Sequence, residues 1–209
     1  MAIRAVMFDF GGVISTSPFE AFAHLERARG LPAGFIRSVN ATNPDDNAWA
    51  RLERNEIGVD AFATAWADEA RSLGHELDGR LVLEKLSGEI RPRMVAAIDA
   101  CRRLYKTACL TNNFVSAERV VSEEVAEVYA LFDAILESRV LGVRKPDPRF
   151  YERACAALGV RPEESVFLDD LGVNLKPARA LGMRTIKVTD PGQALRELEQ
   201  VLGHPLFAD

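Results

Sequence analysis

The 209-residue chain is poor in the features that mark several large protein classes. It has three cysteines, Cys101, Cys109 and Cys155, and no CxxC pair. That spacing excludes a thiolate metal site and a disulfide framework. Cysteines scattered in this way are expected to be reduced and buried in an intracellular, cytoplasmic protein. The three histidines, His24, His75 and His204, have no metal-ligand spacing. No apolar run approaches the roughly 18 residues that span a bilayer. The start Met1-Ala2-Ile3-Arg4-Ala5-Val6 is too short for a signal peptide and runs straight into the first motif, so no membrane partner is expected. Lys and Arg number 26 against 31 Asp and Glu, and no basic run is interleaved with aromatics. A nucleic-acid partner is therefore not expected. Internal repeats and low-complexity segments are also missing.

What the chain does have is apolar content, 48% of residues, enough for one good core or a core with a small second domain. Short, nearly continuous apolar runs recur at Ile3–Phe8, Thr107–Leu110, Ala134–Leu136, Ser165–Leu168 and Arg184–Val188. Such runs suit strands covered on both faces. Helical patterns separate them at Pro92–Tyr105, Pro148–Leu158 and Pro191–Leu202, the last two stopping at Gly159 and Gly203. This alternation predicts an α/β fold with a doubly wound parallel sheet. Residues 17–91 break the rhythm. They read as helices at Pro18–Arg29, Trp49–Asn55, Asp60–Leu73 and Arg80–Leu86, with Asp60 as an N-cap and with Phe22, Trp49, Phe62 and Trp66 as a small core. The expected organisation is a core of residues 1–16 and 92–209 interrupted by a helical insert, 17–91.

In an open parallel sheet, ligands bind beyond the carboxyl ends of the strands. Three predicted strands end in polar residues there: Asp9, then Thr111-Asn112-Asn113, then Asp169-Asp170. Between the last two lies Gly142-Val143-Arg144-Lys145-Pro146-Asp147-Pro148. Three carboxylates at one edge repel unless a cation sits among them, and an all-oxygen site of this kind suits Mg²⁺. One carboxylate can attack phosphorus, the Thr111 hydroxyl and nearby backbone N–H groups can hold phosphoryl oxygens, and Lys145 can neutralise charge. Together these meet the demands of phosphoryl transfer.

In order and type these segments resemble the four motifs of the haloacid dehalogenase-like superfamily: Asp9-Phe10-Gly11-Gly12-Val13, Leu110-Thr111-Asn112-Asn113, Lys145-Pro146-Asp147-Pro148 and Leu168-Asp169-Asp170. Within it, Leu52–Ile57, Phe132-Asp133, Glu137-Ser138 and above all Val166–Met183 are similar to the N-terminal phosphatase domain of soluble epoxide hydrolase and its stand-alone relatives. The epoxide-hydrolysing half has no counterpart in the sequence. The resemblance implies a Rossmann-like catalytic core, a helical cap in residues 17–91, and a Mg²⁺-dependent phosphatase of small phosphorylated metabolites. It implies Asp9 as the nucleophile that forms an aspartyl-phosphate, with Lys145 beside it. Thr111 and Asn112 would bind phosphate. Asp9, the Gly11 carbonyl and Asp170 would bind the metal, with Asp169 and Asn174 in support. The Lys145–Pro146 bond becomes a candidate for cis. A dimer is compatible with an exposed cap face.

The departure is Gly11, where the family's phosphatases carry an aspartate that protonates the leaving group and later activates water. Positioned acid/base catalysis contributes typically about 10²–10⁴-fold. Its loss falls hardest on substrates with poor leaving groups. Two other readings stay open: a weakly catalytic protein that binds a phosphorylated ligand, and a haloacid dehalogenase. Dehalogenases also lack the second acid, but they need no metal and replace the leading carboxylate of the fourth motif, whereas this chain keeps Asp169 and Asp170.

Overall fold

The computed structural model describes residues 2–114 and 122–207. Five strands, β1 (Ala5–Phe8), β2 (Lys106–Thr111), β3 (Ala134–Glu137), β4 (Ser165–Asp169) and β5 (Arg184–Lys187), form one parallel sheet in the order β3-β2-β1-β4-β5. The strands alternate their side chains between two apolar layers. Val6, Phe8, Cys109, Val166 and Leu168 pack on one face; Ala5, Met7, Ala108, Leu110 and Phe167 pack on the other. Both faces are covered, which explains the near-continuous apolar runs. All three cysteines are free and buried, and burial pushes the Cys101 thiol up to about 12 and Cys155 up to about 11.

Between β1 and β2 stand α1 (Phe19–Ala28), α2 (Phe35–Ala41), α3 (Ala48–Glu53), α4 (Val59–Ser72) and α5 (Gly79–Leu83). They enclose a separate apolar cluster that contains Phe22, Ile36, Leu52, Phe62 and Trp66, with Trp49 packed against it. Trp66 is fully buried and donates its indole N–H to Asn40 Oδ1 at 2.8 Å, so its one polar group is satisfied. The chain enters and leaves this insert through two paired segments. Ser15 bridges Ile90 in antiparallel fashion, Thr16 N–H donates to the Glu89 carbonyl at 2.9 Å, and Glu89 N–H donates to Thr16 Oγ1 at 3.0 Å.

The remaining helices flank the sheet: α6 (Pro92–Arg102), α7 (Glu123–Tyr129), α8 (Ser138–Leu141), α9 (Pro148–Leu158), α10 (Gly172–Ala180) and α11 (Pro191–Leu202). Gly159 and Gly203 end α9 and α11 in the left-handed conformation, as their sequence positions suggest. The structure corrects the N-cap of α4. The helix starts two residues earlier, capped by Gly58, and Asp60 lies in its first turn, paired with Arg80. An acidic residue there suits the positive end of the helix dipole without capping it.

Candidate active site

Parallel pairing of β1 with β4 sets Phe8 opposite Leu168, so the residues that follow, Asp9 and Asp169, emerge side by side at the same sheet edge. Ligand atoms of Asp9, Asp169 and Asp170 lie within 4.8 Å of one another. Lys145 reaches between two of these carboxylates, with Nζ 2.8 Å from Asp9 Oδ1 and 2.8 Å from Asp169 Oδ2. Its side chain is 1% exposed. The Lys145–Pro146 peptide is cis, as expected for this position.

The turn after β1 shapes the front of the site. Ser15 N–H donates to the Phe10 carbonyl at 2.9 Å, and Arg91 donates to the Gly12 carbonyl at 2.8 Å. Gly12 has φ +79°, and a Cβ placed there would collide with the Asp170 carboxylate. Glycine is thus required twice over: for the backbone conformation, and for the close approach of Asp170. Gly11 differs. Its φ of −71° and ψ of 129° are ordinary extended values, and a Cβ there would meet nothing within 4 Å.

Each carboxylate has a distinct set of partners. Asp9 Oδ1 takes the Phe10 N–H at 2.7 Å as well as Lys145, while Oδ2 takes no hydrogen bond from the described residues. Both oxygens of Asp169 are engaged: Oδ1 by Leu171 N–H at 2.7 Å, Oδ2 by Lys145, and both by the Asn174 amide at 3.1 and 3.0 Å. The Asn174 carbonyl in turn accepts from the Tyr151 hydroxyl at 2.7 Å. Burial lifts the Asp9 carboxyl well above the ordinary carboxylate value, with Asp169 and Asp170 adding to the rise against the pull of Lys145. Burial and the neighbouring Asp169 push Asp170 up to about 6. Burial also works against the Lys145 ammonium, but Asp169 and Asp9 outweigh it and hold the group above the ordinary lysine value. The three carboxylates outnumber the single ammonium seated among them, and the raised pKa values of Asp9 and Asp170 follow from burial and that imbalance.

The other sequence candidates also converge here. Thr111 ends β2 and is buried at the same edge. Asn112 is bound to the backbone of Lys145: its Oδ1 accepts the Lys145 N–H at 2.9 Å and its Nδ2 donates to the Lys145 carbonyl at 3.0 Å. Sequence reasoning missed four residues. Gly12 and Arg91 shape the turn after Asp9. Glu53 of α3 and Arg144 meet across the boundary between insert and core, with Arg144 Nε 2.6 Å from Glu53 Oε2. Gly12 stands as the second glycine of the first motif, and Glu53 and Arg144 lie in the quoted segments Leu52–Ile57 and Gly142–Pro148, but their contacts are long-range and leave no local pattern.

A model of the family described as haloacid dehalogenase-like hydrolase matches residues 3–182. The chain belongs to this family. It is 34% identical over 222 residues to bifunctional epoxide hydrolase 2 of Sus scrofa, a match that covers 99% of the chain and 40% of that enzyme. The chain therefore spans less than half the length of that relative. It is 33% identical to the phosphatase MT3486 of Mycobacterium tuberculosis (strain CDC 1551 / Oshkosh), covering 92% of the chain and 90% of the relative. Among solved structures, a family enzyme from Bacteroides thetaiotaomicron, in complex with magnesium and inorganic phosphate, shares the fold with a TM-score of 0.60. It is 19% identical and aligned over 94% of this chain and 99% of that one. The protein is a haloacid dehalogenase-like hydrolase with phosphatases among its relatives.

Proposed function

We propose that this hydrolase is a Mg²⁺-dependent phosphatase of a small phosphorylated metabolite. The observation that carries the reading is the cluster of Asp9, Asp169 and Asp170 around Lys145. The donor set fits Mg²⁺: it is all oxygen, over-supplied with negative charge, and it leaves few carboxylates free to coordinate. Asp170 and Asp9 would hold the ion, together with the Gly11 carbonyl. Asp169 is already committed to Lys145, Asn174 and Leu171, so it serves to orient Lys145. When bound, Mg²⁺ would neutralise phosphoryl charge and stabilise the transition state.

The protein's own groups account for the rest. Lys145 and the Phe10 N–H fix Asp9 Oδ1, which leaves Oδ2 as the attacking atom. A bond forms from Oδ2 to phosphorus as the bond to the leaving oxygen breaks, giving an aspartyl-phosphate and a leaving group protonated from solvent. Water then attacks phosphorus and releases inorganic phosphate and the Asp9 carboxylate. Thr111 and the backbone after β2 bind phosphoryl oxygens. The side-chain amide of Asn112 is spent on the Lys145 backbone, so its contribution to phosphate binding runs through its own N–H. Residues 17–91 act as a cap over the site that limits water access, while 1–16 and 92–209 form the catalytic core. Gly11 supplies no acid, so substrates whose leaving groups depart as stable anions are favoured: aryl, acyl or anomeric phosphates.

The test is Mg²⁺-dependent release of phosphate from an aryl phosphate, followed by a panel of phosphorylated metabolites, with Asp9→Asn as the blank. Wild-type turnover well above the blank is expected. Equal rates in both proteins across aryl, acyl and sugar phosphates would overturn the phosphatase reading, and haloacid hydrolysis without added Mg²⁺ would replace it with a dehalogenase.

A further inference from the structure

Glu53 is the acidic side chain through which the insert reaches the catalytic edge. It is buried, and two hydrogen-bond donors and one ion-pair partner converge on it. Trp49 Nε1 donates to Oε1 at 2.9 Å, and Asn112 Nδ2 donates to Oε2 at 3.1 Å. Arg144 Nε lies 2.6 Å from Oε2, and the Arg144 guanidinium also donates to the Pro44 carbonyl at 2.9 Å. Trp49 and Pro44 belong to the insert; Asn112 and Arg144 belong to the core.

The core partners are not arbitrary surface groups. Arg144 immediately precedes Lys145 in the chain. Asn112 brackets Lys145 by holding both its N–H and its carbonyl. Lys145 in turn bridges Asp9 and Asp169. A continuous path of hydrogen bonds and ion pairs thus runs from the α3 carboxylate, through Asn112, to the ammonium that fixes the nucleophile. At the far side of the insert, the paired linkers Ser15-Thr16 and Glu89-Ile90 provide the other attachment. Besides the backbone pairing of the linkers, the insert thus meets the core through the buried Glu53 carboxylate, the Pro44 carbonyl and the packing of Phe114 on its apolar cluster. Charge-assisted bonds of this kind are stronger than neutral ones, and they are lost together when the carboxylate moves away.

We propose that Glu53 is a positioning residue: by gripping Asn112 and Arg144 from the insert, it sets the Lys145 strap, so the catalytic ammonium is in register only when the insert is seated. Glu53 is ion-paired with Arg144. The claim about catalysis rests on the phosphatase reading above, but the claim about Lys145 does not.

Two measurements on the full chain decide it, with wild type, Glu53→Gln, Glu53→Ala and the Asp9→Asn blank. The first is steady-state hydrolysis of an aryl phosphate with Mg²⁺. The second is hydrogen exchange at the Lys145 amide in the same proteins without substrate. Glu53→Ala is expected to lower kcat about tenfold or more with KM changed by less than about threefold, and to accelerate exchange at Lys145 by a similar factor. Glu53→Gln keeps one acceptor oxygen, for Asn112 or for Trp49 but not for both, and loses the charge facing Arg144, and should fall between; it also serves if Glu53→Ala does not fold. A lower melting temperature with unchanged kcat and unchanged exchange means a purely structural role and overturns the proposal, as does faster exchange with wild-type kcat. If wild type hydrolyses no more than Asp9→Asn, the phosphatase reading fails by itself, and the exchange measurement still decides whether Glu53 sets Lys145.

Discussion

The sheet and the insert both bury carboxylates, but for opposite ends. In the insert, Glu26 is 3% exposed and accepts the backbone N–H groups of Gly34 and Ile36 at 2.8 and 2.9 Å. It ties the loop after α1 to the start of α2, and its charge is absorbed by amides that would otherwise lack partners. In the sheet, Asp169 is fully buried and spends its charge on Lys145 and Asn174. One carboxylate fastens a loop; the other holds the Lys145 ammonium against Asp9. The insert's buried charges thus serve its fold, Glu53 excepted, while those at the sheet edge crowd together at a cost in stability. The elevated carboxyl of Asp9 shows that cost directly.

Changes on either side should separate these roles. The largest effect belongs to Asp9→Asn, expected to abolish Mg²⁺-dependent phosphate release, a loss of roughly 10⁴-fold or more. The same change should leave the melting temperature equal or higher, because it removes a buried charge that the fold strains to hold; a clear drop in calorimetry would break the contrast with Glu26. Lys145→Met should do the reverse for stability. It leaves Asp9 and Asp169 facing each other unpaired, and breaking a buried pair costs about 3–5 kcal/mol, measurable by urea unfolding, with activity lost as well. Gly11→Asp is next. Its backbone and surroundings accept a side chain, so the protein should fold normally. Activity on alkyl phosphates should rise by about 10²-fold relative to aryl phosphates, toward the usual worth of a positioned acid. An unchanged ratio of the two rates would mean that another group already supplies the proton. The smallest effect is expected in the insert. Gly58→Ser adds a capping hydroxyl to α4 in open space, and should stabilise by a few tenths of a kcal/mol without altering kcat.

The sheet was legible because each strand is short, apolar on both faces and punctuated by a polar residue. Even so, β1 begins at Ala5, not Ile3, since the pairing that defines it starts opposite Lys106 and Ser165. The catalytic candidates were legible for a related reason: they sit at strand ends, where sequence position alone fixes their place on one edge. Helices without strong stop and start signals were not. α10 opens at Gly172 without a side-chain cap and carries Pro177 inside, and α2 follows a left-handed Gly34. Glu53 and Arg144 stand 91 positions apart in the numbering and meet only because the insert folds back. The phosphate role expected of Asn112 came from the family resemblance alone; that its side-chain amide also brackets the Lys145 backbone is a use that no local pattern reveals.

The paired linkers carry a consequence for how such a molecule can change over time. The chain leaves the sheet at Ser15 and returns at Ile90 as bridged neighbours, roughly one strand spacing, about 5 Å, apart. To the rest of the protein, the whole helical lobe is thus a single long loop closed at its base. Any other module whose two ends lie equally close could be grafted at that junction, and the strand order would be untouched. The sheet edge and the helical lobe are in this sense separable cassettes, and a replacement lobe would have to reinvent the contacts that Glu53 and Pro44 make with Asn112 and Arg144.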